Sequence, residues 1–153
     1  METTLCYLEQ DGKYLMLYRN RKAPEEDINY GKWVGIGGKI EDGETPEACV
    51  CREVFEETGL TLSEYRYRGV VDFRSDTDGC ERMHLFTATA WTGEMHDCDE
   101  GELRWVKKKN LEHYPIWEGD TVFLRELDRT DRFFRLRLTY QGQKLVNTHM
   151  SWE

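Results

Sequence analysis

The chain has 153 residues, of which 39 % are hydrophobic and 12 % aromatic, enough to build one core and too apolar for intrinsic disorder. Thirty acidic residues against 21 basic ones leave a net charge of −9, which repels duplex nucleic acid and anionic membrane surfaces. Five cysteines (Cys6, Cys49, Cys51, Cys80, Cys98) form no CxxC pair, the amino terminus lacks the pattern of a secretory signal, and no apolar run is long enough to cross a bilayer, so a cytoplasmic protein with reduced thiols is expected.

In chain order, Thr3 to Glu9 and Lys13 to Arg19 are β-prone runs joined at Asp11-Gly12, a hairpin signal. A polar loop runs from Asn20 to Lys32. Thr45 before Pro46 reads as an N-cap with proline in the first helical position; the helix continues to Thr58 and Gly59 ends it. Tyr65 to Arg74 and Arg82 to Trp91 predict two long antiparallel strands around the turn Ser75 to Gly79. Leu103 to Val106 predicts a short strand, Asp120 to Asp128 a second helix, and Phe133 to Gln141 with Lys144 to His149 a closing hairpin around Gly142. Helices and strands interleave without regular βαβ alternation, which predicts an α/β fold with a mixed sheet flanked by helices. No linker or repeat divides residues 1–153, so one domain is expected. Arg132 to Tyr140, with Phe134, Leu136 and Leu138 alternating with Arg135 and Arg137, suits a half-buried strand or a dimer edge, leaving monomer and homodimer open.

The first helix carries the chemistry. Stepping 100° per residue places Ala48, Cys51, Val54, Phe55 and Thr58 on one side and Glu53, Glu56 and Glu57 on the other. Three clustered carboxylates repel by a few tenths of a kcal/mol per like-charged pair. Such a face is either simply solvated or a site for a hard cation, Mg²⁺ or Mn²⁺, that takes oxygen donors and shares them with phosphate.

The surrounding residues decide. From Gly38 to Leu60 the sequence reads Gly, five residues, Glu44, seven residues, Arg52-Glu53, an aliphatic, any residue, Glu56-Glu57, any residue, Gly59 and an aliphatic. A chance match somewhere in a chain of this length is on the order of 10⁻⁷ at average residue usage. This segment resembles the Nudix box. The resemblance implies an α/β/α sandwich, in which the box is a loop, a helix and a loop, and an enzyme that hydrolyses a nucleoside diphosphate linked to another group. It implies Glu53, Glu56, Glu57 and the carbonyl of Gly38 as ligands of Mg²⁺, with Mn²⁺ as a substitute, and Glu44 and Arg52 as residues that orient them. Glu56 is the first candidate for the general base; some members recruit a glutamate from a later loop, here Glu100 or Glu102.

Outside the box, Gly31 to Lys39, Glu102 to Val106 and Tyr114 to Asp120 resemble the Nudix branch that hydrolyses oxidised purine nucleoside triphosphates such as 8-oxo-dGTP to the monophosphate and pyrophosphate. The resemblance implies that Trp117 stacks on the base and Asp120 reads its edge. Glu118, Gly119 and Val34 depart from that branch, where Pro, Asp and Asn stand, so two of its polar base readers are missing. Arg19 and Lys39 are candidates for phosphate contact, against the ordinary role of solvated bases, and Trp33 for the nucleotide pocket, against plain packing. The rival substrates are ADP-ribose or a nucleotide sugar, although no proline follows the box between Leu62 and Asp78; the rival class is a non-catalytic nucleotide-binding Nudix module, which the complete set of box carboxylates disfavours.

Overall fold

Asp11 and Gly12 both take positive φ, 53° and 73°, the geometry a two-residue hairpin needs, and they join strand β1 (Glu2–Gln10) to β2 (Lys13–Arg19). The computed structural model describes residues 1–153 and continues with β3 (Trp33–Val34), β4 (Ile36–Lys39), helix α1 (Pro46–Thr58), β5 (Thr61–Ser75), β6 (Gly79–Thr92) and β7 (Gly101–Lys107). A 3-10 turn at Lys108–His113 leads to helix α2 (Glu118–Arg129) and the closing hairpin β8 (Phe134–Gln141) and β9 (Lys144–Trp152).

The sheet runs β3-β2-β1-β6-β5-β8-β9, with β4 joined to β1 and β7 to β2. Strands β1/β6 and β5/β8 are parallel and the remaining pairs antiparallel, so the sheet is mixed, as expected. Strand β1 forks: Thr3 to Cys6 pair with β4, while Glu9 and Gln10 pair with β2. Side chains alternate faces along a strand, so Cys6 and Leu8 of β1 and Phe86 of β6 join Val50 and Val54 of α1 in one apolar cluster. Tyr7 and Leu85 face the other way, into a second cluster with Phe123 and Leu127 of α2 and Leu136 and Leu138 of β8. The two helices thus cover opposite faces of the sheet. Phe123 has no exposed surface, and truncating such a side chain to alanine costs about 3–5 kcal/mol.

One expectation needs correction, two strands went unread, and one open alternative closes. Strands β3 and β4 were not foreseen, because the two glycines at 37 and 38 have poor β propensity. Gly37 is required there: a Cβ would collide with the backbone of Thr4 across the β1–β4 pair. Helix α1 is rotated from the expected orientation; it buries Cys49, Val50, Val54, Glu57 and Thr58, while Phe55 is 56 % exposed. Its ends are as expected, with Thr45 Oγ1 accepting from the Ala48 N–H at 3.1 Å and Gly59 at φ 83°. Strand β8 lies between β5 and β9, an interior half-buried strand, so the sheet edge belongs to β9. No helix is long and apolar enough to cross a membrane.

Candidate active site

Arg52 organises the box. Its Nε and Nη2 donate to the two oxygens of Glu44 at 2.7 and 2.9 Å, a bidentate pair; Nη1 donates to Glu53 at 2.9 Å and to Glu56 at 3.2 Å, and Nη2 also reaches the carbonyl of Lys39 at 3.2 Å. Glu44 accepts the N–H of Glu41 as well, at 3.0 Å, and the guanidinium beside it holds its carboxyl down to about 2. A Cβ at Gly38 would lie within 2.7 Å of three carboxyl atoms of Glu53, so only glycine lets the β4 backbone approach that carboxylate. Lys39 itself is exposed and contributes its carbonyl to Arg52.

The glutamates Glu53, Glu56 and Glu57 are not equivalent. Glu56 has a side chain 57 % exposed, Glu53 is largely covered, and Glu57 is buried with Oε2 lacking any partner. Burial pushes Glu53 above its usual range, with Arg52 opposing. Burial, then the neighbouring carboxylates of Glu100 and Glu53, push Glu57 up to about 10, and Arg19 offsets this only in part. The later-loop carboxylate beside the box is therefore Glu100. Glu102 points elsewhere: it is exposed, paired to Arg104 at 2.9 Å, and its place two residues into β7 sends it away from the cluster.

A hard divalent cation fits these donors. Carboxylate oxygens from Glu53, Glu56, Glu57 and Glu100 with the carbonyl of Gly38 are the ligand types magnesium takes, and an orphaned oxygen on a buried carboxyl calls for positive charge. Side chains do not yet converge on one point, since Arg52 draws Glu53 and Glu56 to itself.

Arg19 is not free for phosphate. Its Nε donates to Asp27 at 2.9 Å and its Nη1 to Glu100 at 3.0 Å. Trp33 is 6 % exposed, packed against Tyr18 and edge-on to Tyr114, with Arg104 over its ring; it belongs to the core. Trp117 and Asp120 do come together, in the first turn of α2, where the N–H of Asp120 donates to the Trp117 carbonyl at 3.0 Å. Trp117 donates its indole N–H to Asn29 Oδ1 at 2.8 Å, meets Tyr140 edge-on with centroids 5.5 Å apart, and carries Lys32 Nζ 4.6 Å from its ring centroid. Tyr140 accepts the N–H of Gly119 at 2.8 Å, and a Cβ at Gly119 would strike that hydroxyl and Leu138. Asp120 is buried; desolvation, then the Glu81 carboxylate, push its carboxyl up to about 8, against Lys32. The buried hydroxyl of Tyr7 nearby has no partner. Asp27, Asn29 and Tyr140 carried no motif, and Lys32 lay in the Gly31 to Lys39 stretch without being singled out; their positions in space reveal all four.

The comparisons agree with this geometry. The NUDIX domain family matches residues 2–127. The oxidized purine nucleoside triphosphate hydrolase of Danio rerio is 28 % identical over 148 residues, 95 % of this chain and 90 % of its own. An uncharacterized Nudix hydrolase, YvcI of Bacillus subtilis (strain 168), is 34 % identical over 122 residues, covering 76 % of this chain and 72 % of its own. Among solved structures, the MutT protein of Bacillus halodurans superposes with a TM-score of 0.85 at 27 % identity, covering 97 % of this chain and 96 % of that one. A complete box on a Nudix sandwich, with a family match over most of its length, makes the chain a member of the Nudix hydrolases, enzymes that cleave phosphoric anhydrides of nucleotides.

Proposed function

We propose that the protein hydrolyses a purine-type nucleoside triphosphate, including oxidised forms such as 8-oxo-dGTP, to the monophosphate and pyrophosphate with Mg²⁺. The observation that carries this reading is the buried carboxyl of Asp120 in the same helical turn as Trp117 at the start of α2, where burial favours the protonated acid. A neutral acid there donates a hydrogen bond to an acceptor on a base edge, while the indole face supplies stacking. The Danio rerio relative, matched over nearly its whole length, supports the same substrate class.

The protein's residues divide the work. Glu53, Glu56, Glu57 and Glu100 with the Gly38 carbonyl would hold the cation, which would supply neutralisation of phosphate charge and a lowered pKa for water. Arg52 and Glu44 fix the directions of Glu53 and Glu56. Glu56, tied to Arg52 through one oxygen only, takes the proton of the attacking water at the other. Trp117 and Asp120 hold the base. Lys39, exposed at the start of the box, meets phosphate oxygens.

The test is a product analysis with Mg²⁺ and a panel of dNTPs, 8-oxo-dGTP, ADP-ribose and dinucleoside polyphosphates. Monophosphate plus pyrophosphate from purine triphosphates is the expected result. Turnover confined to ADP-ribose or to dinucleoside polyphosphates would overturn the substrate assignment.

A further inference from the structure

Asp27 is a buried charge that neither the box nor the first turn of α2 accounts for. Its side chain is 6 % exposed, and both oxygens are engaged: Oδ2 accepts from Arg19 Nε at 2.9 Å and Oδ1 from the backbone N–H of Asn29 at 3.0 Å. Arg19 continues to Glu100 at 3.0 Å, and Asn29 Oδ1 accepts from the Trp117 indole at 2.8 Å. An unbroken chain thus runs from Glu100, beside Glu57, through Arg19, Asp27 and Asn29 to Trp117. We propose that the loop from Asn20 to Lys32 couples the two ends of the site, with Asp27 as the positioning residue that ties base stacking on Trp117 to the orientation of Glu100. The proposal rests on Trp117 being the base platform and Glu100 part of the cation-binding cluster.

Two features make the loop a transmitter rather than a passive connection. It is anchored by polar bonds, since its large apolar residues Ile28 and Tyr30 are exposed. Its backbone is also closed on itself: Gly31 N–H donates to Arg19 at 2.8 Å, Arg19 N–H to Lys32 at 3.0 Å, Tyr30 N–H to Asp27 at 3.0 Å and Lys32 N–H to Asn29 at 3.0 Å. A segment braced in this way shifts as a unit, so movement of the indole under a base reaches Arg19 through Asp27. Charge-assisted bonds in a covered setting resist stretching, which keeps the transmission stiff.

The test follows the Trp117 indole N–H resonance in ¹⁵N-labelled protein, assigned by its loss in Trp117→Phe, while Mg²⁺ alone is added and its binding is followed by calorimetry. In the parent protein the resonance moves as Mg²⁺ binds. In Asp27→Asn and in Asn29→Ala it stays in place although Mg²⁺ still binds; the second variant serves if the first fails to fold. In turnover, Asp27→Asn and Trp117→Phe each lower kcat/KM by roughly tenfold, in the range of a lost supporting bond, and the double variant loses little more than either alone. Mg²⁺ binding with an unmoved indole in the parent, an equal shift in Asp27→Asn, or fully multiplicative losses would overturn the coupling and leave the cation cluster standing. Absence of Mg²⁺ binding would instead overturn the cluster itself and this proposal with it.

Discussion

The two ends of the site are built in opposite ways. Around the box, the bonds of Arg52 to Glu44, Glu53, Glu56 and Lys39 span at most 13 residues of sequence. Around Trp117, the partners lie 88 residues away at Asn29, and Lys32 reaches Gln143 across 111. The box is thus one local segment whose helix pre-arranges its carboxylates, whereas the proposed base-binding end is assembled from a loop, a helix start and the C-terminal hairpin. A local device keeps its geometry and its chemistry together; an assembled one can change specificity by altering any contributor.

That division makes predictions. The largest effect belongs to the box: Glu53→Gln or Glu56→Gln lowers kcat by on the order of a thousandfold, about 4 kcal/mol of transition-state stabilisation, with KM for nucleotide little changed. Circular dichroism and Tm should show the fold intact, since Glu56 is exposed and Glu53 sits outside both apolar clusters. Equal turnover in both variants would break the comparison at its stronger end.

Trp117→Ala comes next, raising KM by about tenfold to a hundredfold with a smaller change in kcat, since base stacking contributes about 1–3 kcal/mol. A fall in kcat alone would move Trp117 from the base end to the chemistry.

Asp120 sharpens the contrast through pH. Its carboxyl is raised from an ordinary 3.8 to about 8, so it holds its proton at neutrality and loses it as the medium becomes alkaline. KM should rise about tenfold by pH 9, the loss of the protonated fraction one unit above that value, and Asp120→Asn should remove the dependence. The sign for stability is the same: the contribution of the protonated acid is complete below about pH 4 and is lost as pH climbs through about 8, so the Asp120→Asn variant shows a flatter Tm profile across that window.

The smallest effect is Tyr140→Phe. The ring stays against Trp117, while the buried N–H of Gly119 loses its acceptor, costing about 1–3 kcal/mol of stability and a few-fold in KM. An unchanged Tm would show that another group takes over the Gly119 N–H.

Legibility followed the same line. The hairpin at Asp11-Gly12, the capped helix from Pro46 to Thr58 and the box spacing were all readable, because each depends on residues a few positions apart. Glu57 was readable as a carboxylate of the box but not as a buried one: the helical wheel fixes relative angles within α1, and only packing on the sheet sets its rotation. The choice between Glu100 and Glu102 was equally closed to sequence, since it depends on where β7 begins against β2. Arg19 looked like a phosphate contact until the fold placed Asp27 and Glu100 beside it.

By itself, then, the amino-acid order determined the mixed α/β class, the helix that carries Arg52, Glu53, Glu56 and Glu57, and the chemistry those oxygens suit. Tertiary structure alone decided that Glu57 is desolvated, that Arg19 holds carboxylates, and that Trp117 leans on Asn29 and Tyr140. The physical reason is reach: hydrogen bonds within a turn or a helix are written in neighbouring residues, whereas burial and charge at this site come from chain segments that meet only when two apolar faces close on one sheet.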